Sequence, residues 1–428
     1  NLANSKIYAK FKYNSKIQIS KGGALKNPFL SLKYPNFRIY WIGMNLSLIG
    51  SWMQSIALPW LVLSITADAF KVSLVAAAQF LPALLFTPFS GVLLDKFDRK
   101  KILLLAQIGM MIIASIFSFM VFCEIYSFEK ILSLAFANGI FRSLDSPSRQ
   151  SMVKDLVGEP QNISNAIALN SMSFNVTRIA GPALAGLVMA LWGVGFCFLF
   201  NAISFLGIII SLFFVKISPL NLNAAAAKHG VFSSIKAGIS YISHKRTLSK
   251  LMLTVLVIST LVPNYNVTIS ALVKLSLGAD ERSFGYLMSA LGAGAFFGAL
   301  FVAVFGRLSV RRIYLCASLL GLSLALIGAV SSFIWASAWL AATGFLFVAT
   351  NSSINSAVQM HVSNEFRGRV MSIYALFFIG STPFGALLSG FLVNCFGARA
   401  ALAICGAASI SALLCIFYKF KKAHSQLR

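Results

Sequence analysis

Acidic side chains are scarce in this chain. In 428 residues, 11 Asp and Glu stand against 36 Lys and Arg, so the formal net charge is +25. Charged residues make up 11% of the sequence and hydrophobic residues 58%, whereas soluble domains average about 25% charged residues. This composition excludes a soluble domain, because the excess apolar surface must face something other than water. The sequence therefore predicts a protein that is dissolved in a lipid bilayer.

Signals of metal, cofactor, nucleic-acid and enzyme chemistry are also missing. The six cysteines are scattered through apolar runs without metal-ligand spacing, and the four histidines lie in polar connections. Lys and Arg occupy short tethers between apolar runs, which argues against a nucleic-acid-binding face. No Walker A sequence is present, and no span combines a nucleophile with an acid/base partner. We therefore expect no metal, no cofactor and no catalytic residue, and a chain that is not an enzyme.

Long apolar stretches are abundant instead, and each is long enough to cross a bilayer as a helix. A window of about 19–25 residues predicts twelve spans at 39–65, 72–94, 101–123, 130–153, 163–192, 196–216, 249–273, 283–305, 311–331, 334–358, 369–394 and 399–418. Backbone amides in hydrocarbon must be hydrogen-bonded within the protein, which only helices and closed β-barrels achieve. The apolar and polar residues of these stretches do not alternate with the period of two that barrel strands show. Each span is therefore predicted to be an α-helix.

Positive charge indicates which ends of the spans face the cytoplasm. If the N-terminus is cytoplasmic, the inner segments hold 31 of the 36 Lys and Arg residues. The outer loops then hold only Lys71, Lys130, Lys274, Arg282 and Arg399. Both termini are therefore predicted to be cytoplasmic. The first 38 residues lack an apolar h-region, so we interpret them as a basic arm and not as a cleavable signal peptide.

The chain divides into two halves of six spans. GPALAGLVMALWG, from Gly181, and GALLSGFLVNCFG, from Gly385, carry glycine at matching positions, which indicates an internal repeat. The predicted parts are a cytoplasmic arm 1–38, an N-terminal half 39–216, a cytoplasmic linker 217–248, a C-terminal half 249–418 and a tail 419–428. This predicts an all-α membrane protein with two pseudo-symmetric halves. Transporters of this kind hold their solute near mid-bilayer, where the halves meet.

Span four is the most polar of the twelve. Asn138, Arg142, Asp145 and Arg149 recur at helical spacing and share one face. Asp145 is the one acid well inside a span, and Arg142, one turn away, is its expected partner. Two interpretations stay open: a protonatable pair that lines a solute path, or a structural ion pair that locks helices together.

Polar side chains on spans one, seven and ten extend this pattern and predict a wet central cavity. Together with Asn138 and Arg142, the residues expected to line it are Asn45, Trp52, Asn264, Tyr265, Asn351, Asn355 and Gln359. Each of them could instead form an interhelical hydrogen bond worth about 0.6 kcal/mol. In span seven, Pro263 frees a carbonyl group that neighbouring amides can satisfy.

The segment GVLLDKFDRKK, residues 91–101, lies between spans two and three. It resembles the signature of the major facilitator superfamily, in which a glycine, an aspartate and a basic cluster occupy this loop. The resemblance implies the twelve-span, two-half fold and a gating role for Gly91, Asp95 and Arg99 at the cytoplasmic ends of the helices. Asp95 and Arg99 are expected to pair across one helical turn.

The segment RIAGPALAG in span five resembles the glycine-proline motif of the superfamily's antiporters, which are chiefly exporters. Arg178, Gly181, Pro182 and Gly186 carry this motif. Longer segments such as NFRIYWIGMNLSLIG and EFRGRVMSIYALFFIG resemble the bacterial branch of enterobactin-type siderophore exporters and drug efflux proteins. This resemblance extends over residues 36–417 and favours export.

Drug/proton antiporters of the superfamily carry a proton-linked arginine in span four, where this chain has Leu134 or Ala135. We therefore expect Asp145 and Arg142 to provide proton coupling. The resemblance and the polar span together predict a proton-coupled exporter of a siderophore or amphiphilic drug-like solute. It is expected to work by alternating access, as a monomer in the bacterial inner membrane. Uptake of a siderophore or another nutrient, and flipping of a lysophospholipid, remain alternatives.

Overall fold

The structure is a computed structural model that describes residues 29–157, 160–215, 231–306, 308–363 and 365–425. Within these ranges it consists of helices and their connections, with no strand. A 3₁₀ turn at Leu30–Lys33 precedes the first long helix. The α-helices are α1 (Pro35–Thr66), α2 (Ala69–Lys96), α3 (Arg99–Phe122), α4 (Phe128–Val157), α5 (Pro160–Trp192), α6 (Val194–Phe214), α7 (Val231–His244), α8 (Arg246–Leu261), α9 (Tyr265–Ala271), α10 (Glu281–Phe305), α11 (Val310–Ala329), α12 (Phe333–His361), α13 (Arg367–Gly380) and α14 (Thr382–Ser425).

The described helices confirm an all-α membrane protein. Ten segments are long and apolar enough to cross a membrane. The last of them, Arg367–Tyr418, holds two spans, because its backbone turns at Gly397, where φ is 81°. The polar helix α4 is also long enough to cross, although its hydropathy falls below that of the other helices. These helices match the twelve predicted spans.

Several helix boundaries differ from the expected ones. Helix α1 begins at Pro35, before the expected residue 39, because proline is favoured in the first turn of a helix. The linker contains the helix α7, and the last helix continues through Ser425. Residues 1–28 of the arm and 216–230 of the linker lie outside the described residues.

The seventh span is not one continuous helix. It consists of α8, the short helix α9 and a π-helical turn at Leu272–Ser276. The interruption falls at Pro263, which has no N–H to continue the ladder. The next carbonyl, that of Thr260, accepts from the Asn264 side-chain amide at 2.8 Å, because the Asn264 backbone N–H bonds Val262 instead. Proline itself frees the Ser259 carbonyl, four residues before it, so its expected repair stays a prediction.

The two halves meet along two pairs of helices, α5 with α10 and α2 with α14. In the first pair, a Cβ added to Gly186 would lie 2.8 Å from the Gly285 Cα, and one added to Gly285 would lie 2.6 Å from the Gly186 Cα. A Cβ added to Gly292 would lie 2.7 Å from the Arg178 carbonyl oxygen. Gly186 of the GPALAG segment, with Gly285 and Gly292 of α10, thus allows the backbones of the two halves to touch.

Candidate solute cavity and its gates

A cavity of about 740 Å³ lies among the six helices of the N-terminal half. Its charged and amide-bearing lining residues are Gln54, Gln79, Asn138, Arg142, Asp145, Arg149, Gln150, Asn170, Asn175 and Asn201. Phe174 and Phe205 add aromatic surface. A concave site with both apolar walls and convergent polar groups is typical of small-molecule binding.

Asp145 lies in a hydrogen-bonded cluster that joins three helices. Arg149, one turn later on α4, donates from Nε to Oδ1 of Asp145 at 2.7 Å. Gln107 of α3 donates to the same oxygen. Nη2 of Arg149 also donates to the Ser47 hydroxyl of α1 at 3.2 Å. The side chains of Asp145 and Arg149 are 19% and 12% exposed, so this ion pair is largely buried in the cavity wall.

The expectation that Asp145 pairs with Arg142 is wrong. Both arginines lie about one turn from Asp145 on α4, and the spacing permits either partner. The Ser47 hydroxyl holds the Arg149 guanidinium beside the carboxylate, whereas Arg142 is exposed in the cavity. Among the described side chains, no ion pair involves Arg142.

Several amides of the cavity region are not predicted from the sequence, and three of them, Gln107, Gln54 and Asn201, form hydrogen bonds between helices. Gln107 contacts Asp145, and Gln54 of α1 accepts a hydrogen bond at 2.6 Å from the Asn201 side chain of α6. Each is a buried amide in an otherwise apolar helix. Such isolated amides are expensive in a membrane unless they have a partner, and this cost is the sequence signal that could have identified them.

Of the residues predicted to line the cavity, the structure places Asn138 and Arg142 in its wall. The side chain of Asn45 donates to the Trp41 carbonyl on its own helix at 2.7 Å. Trp52 packs edge-on against Phe174, a lining residue, with ring centroids 5.6 Å apart. These two residues of α1 therefore lie beside the cavity of the N-terminal half.

The C-terminal residues predicted for the site are not part of this cavity. Asn264, between α8 and α9, and Asn351 of α12 each donate to a carbonyl four residues earlier, at 2.8 and 3.1 Å. Gln359 donates to the Asn355 side chain one turn earlier at 2.5 Å. Tyr265 is buried, and its ring packs edge-on against Phe347. These side-chain hydrogen bonds are local, whereas the structural alternative predicted bonds between helices. The Oδ1 atoms of Asn264 and Asn351 and the Tyr265 hydroxyl are buried without a hydrogen-bond partner among the described residues, so their contact with solute stays a prediction.

The two halves are bonded to each other at the end opposite the basic loops, which we call the distal end. Trp60 donates to Glu281 at 3.0 Å, and Lys274 donates to Ser64 at 2.6 Å. Asp68, at the start of α2, accepts a hydrogen bond from Asn394 of α14 at 2.7 Å. We call the loops between α2 and α3 and between α12 and α13, with the ends of the helices they join, the basic end. At the basic end, the described hydrogen bonds do not join the two halves. Lys100 donates to the Val215 carbonyl, for example, and the Ser363 amide donates to the Tyr241 hydroxyl of the linker helix α7.

At the basic end, Arg99 pairs with Asp155 of α4 at 3.3 Å. Asp95 and Arg99 do not share a helical turn, so the expected arrangement of this pair is absent. Helix α2 ends at Lys96, and Asp98 caps α3 by accepting a hydrogen bond from the Lys100 backbone amide. The backbone of Gly91 and Asp95 lies in α2, and the Asp95 side chain lies outside the described part. Asp98 thus begins α3, and Arg99 links that helix to α4.

The distal contact between Asp68 and Asn394 yields a pH prediction. Burial alone would raise the pKa of Asp68, but hydrogen bonds from the Asn394 side chain and from the Lys71 and Phe70 amides hold it below its ordinary value. A lowered carboxyl pKa stabilises the contact above the ordinary pKa of Asp, and this stabilisation is lost as pH falls through the lowered value. The distal end should therefore open more readily in acid.

Asn394→Ala should open the same end at neutral pH, because it removes two hydrogen bonds between the halves, one to Asp68 and one from the Ala69 amide. At about 1 kcal/mol for each bond, the closed-to-open ratio should fall about thirtyfold. Electron–electron distance measurements between spin labels at Lys130 and Arg282 check this, with longer distances marking the open state. Asp68→Asn, which preserves a helix cap, is the control and should flatten the pH dependence. Undiminished pH dependence in Asp68→Asn would contradict this assignment.

A twelve-span bundle of two halves, with a polar cavity and a bonded distal end, defines a membrane transporter of the major facilitator fold. A family model described as transmembrane secretion effector matches residues 26–427. The chain belongs to this family of the major facilitator superfamily. Proteins of this family are transporters and not enzymes.

Relatives with known names extend over nearly the whole chain. An uncharacterised major facilitator-type transporter of Bacillus subtilis, YfiS, is 27% identical over 85% of this chain and 88% of its own. The staphyloferrin A transporter of Staphylococcus aureus is 23% identical over 87% and 94%. Macrolide efflux protein A of Streptococcus pyogenes is 24% identical over 85% and 92%. Siderophore transport and drug efflux are thus both represented among its relatives.

The fold is also that of solved transporters. The crystal structure of the nucleoside transporter NupG superposes with a TM-score of 0.71, covering 92% of this chain and 99% of that one, at 13% identity. This likeness shows the shared fold.

Proposed function

We propose that the protein is a proton-coupled secondary transporter that exports a siderophore or an amphiphilic drug-like solute across the bacterial inner membrane. It acts as a monomer by alternating access. The observation that carries the proposal is the ion pair between Asp145 and Arg149 in the wall of a polar cavity, together with the bonded distal end. A buried carboxylate at such a position is the group that a proton can occupy during transport.

The charge distribution supports the orientation. Inner loops of membrane proteins are enriched in Lys and Arg, so the basic end is assigned to the cytoplasm and both termini with it. The distal end then faces the outside, and its contacts close the outer entrance. In this orientation the bonded distal end supports a state in which the cavity would receive solute from the cytoplasm.

Protonation of Asp145 supplies the coupling step. The proton would neutralise the carboxylate that holds Arg149 and would weaken the hydrogen bond from Gln107 of α3. Because Arg149 also bonds Ser47 of α1, the change loosens the contacts among α1, α3 and α4. A cluster with two arrangements can bias the equilibrium between inward-open and outward-open states.

Two observations favour export over uptake. The RIAGPALAG segment, which resembles the motif of antiporters, lies at the contact of α5 with α10, where the halves touch. Efflux proteins are also among the relatives. Rocking of the halves about this contact would carry solute from the inner to the outer side.

Deletion of the gene in its source bacterium under iron limitation tests the proposal. We expect less siderophore in the culture supernatant and more in the cytosol than in the parent strain, with both restored by complementation. Normal secretion combined with poor growth on supplied siderophore would indicate uptake and overturn export. Unchanged siderophore, but increased sensitivity to amphiphilic drugs, would retain export and assign it to drugs. No change in either assay would leave lysophospholipid flipping as the function to test.

A further inference from the structure

The cavity carries more positive than negative charge. Arg142, Asp145 and Arg149 are the charged side chains among its described lining residues. The one carboxylate is already bonded to Arg149 and Gln107. Arg142 has no ion pair among the described residues and is exposed to the cavity. One guanidinium in the cavity thus has no salt bridge of its own among the described side chains, and the single carboxylate near it is shared with Arg149.

We infer that Arg142 binds the solute and that the solute carries a carboxylate or a comparable oxyanion. The inference rests on the proposed export function and assigns a chemical class to what is exported. Guanidinium groups bind carboxylates through two parallel hydrogen bonds, which makes arginine well suited to this recognition.

Because the transporter alternates between open and closed cavities, the charge of Arg142 affects which solutes permit closure. While the cavity is open, water can hydrate Arg142. When the cavity closes around the solute, that water is displaced, and a guanidinium without a salt-bridge partner becomes costly in the low-dielectric interior. An anionic solute removes this cost, whereas a cationic or neutral solute leaves it in place. Closure is therefore selective for anions.

A second arginine supports the same class of solute. Phe174 and Asn175 of α5 line the cavity, and Arg178 lies four and three residues after them. Residues at these spacings share a helix face, so Arg178 continues that face beyond the cavity. Among the described side chains it also has no acidic partner. The helix face that lines the cavity thus carries a second cation, next to the contact of α5 with α10.

The arrangement disfavours cationic amphiphiles. The cavity offers a cation no free carboxylate among its described lining residues, because Asp145 is engaged by Arg149. Cationic drugs would also be repelled by Arg142. Among the solutes considered above, acidic siderophores and acidic drug-like molecules therefore fit this cavity, and basic drugs do not.

The test uses the solute that the cell itself supplies. Spent medium from the deletion strain, the parent strain and complemented strains is separated by anion exchange at pH 7, and species that depend on the transporter are identified by mass spectrometry. Complementation uses wild type, Arg142→Gln, Arg142→Lys and Arg282→Gln, the last replacing an exposed arginine at the distal end. Membrane levels and thermal unfolding of each purified variant show that it folds.

We expect at least one transporter-dependent species, retained by the resin. Arg142→Gln should lower its secretion by tenfold or more, Arg142→Lys should restore part of it, and Arg282→Gln should match wild type. A dependent species that passes the resin as a neutral or cationic molecule would overturn the inference and leave export standing. Equal secretion of an anionic species by wild type and Arg142→Gln would overturn the role of Arg142. If no species in the medium depends on the transporter, export of a soluble solute fails, and the inference fails with it.

Discussion

Replacing Asp145 with asparagine is expected to lower gradient-driven secretion by at least about tenfold, equivalent to about 1.4 kcal/mol in the rate-limiting barrier. Asparagine can still accept from Gln107, but it cannot take up a proton or neutralise Arg149. Secretion by complemented deletion strains, with and without a protonophore, measures the effect. The protonophore-sensitive part should disappear in Asp145→Asn.

Stability must be separated from coupling in this variant. Removing one partner of a buried ion pair costs about 3–5 kcal/mol, because the other charge is left unpaired. The double variant Asp145→Asn/Arg149→Gln removes both charges and should regain much of the thermal stability without regaining secretion. Asp280→Asn is the matched control, because Asp280 is an exposed helix cap that accepts from the Ser283 amide at 3.0 Å. Full protonophore-sensitive secretion by Asp145→Asn would refute the coupling role.

Gly285→Ala is expected to have the second large effect. The new methyl group would lie 2.6 Å from the Gly186 Cα and 2.9 Å from the Pro182 carbonyl oxygen, both backbone atoms. Helices α5 and α10 must separate to admit it, and overpacking of this kind costs about 1–3 kcal/mol. We expect a lower Tm in detergent and a loss of secretion of tenfold or more, because this contact joins the two halves.

Gly368→Ala provides the control for the same chemical change. A Cβ at Gly368 meets no atom within 4 Å. Both variants reduce the flexibility of the unfolded chain equally, which by itself stabilises a protein by about 0.4–1 kcal/mol. The difference in Tm between the two variants therefore isolates the steric clash. An equal Tm for Gly285→Ala and Gly368→Ala would show that the close contact of α5 with α10 contributes little.

The amino-acid sequence anticipated the fold better than it anticipated the contacts of individual side chains. Hydropathy and the need to satisfy every backbone amide predict helical spans wherever about twenty apolar residues follow one another. The polar face of α4 was also evident, because four polar side chains recur at helical spacing. Local spacing did not reveal which amide or arginine would reach Asp145, because Gln107 and Ser47 belong to other helices.

The sequence also did not reveal which groups the polar residues of spans seven and ten would contact. Asn264 and Asn351 have the composition of cavity residues, but a side-chain amide can bond a carbonyl of its own helix as readily as a solute. Helix rotation and the break at Pro263 decide between these uses. Nothing in a single sequence specifies that rotation, since it results from packing against neighbouring helices.

By itself, the sequence determined that this protein is helical, lies in a membrane and divides into two halves, because these properties follow from local composition and periodicity. Only the tertiary structure decided that Asp145 pairs with Arg149, that Arg142 forms no salt bridge with another described side chain and that the halves are bonded at the distal end. These contacts join residues far apart in the chain. Their energies depend on distances of a few ångströms, which are set when the helices pack together.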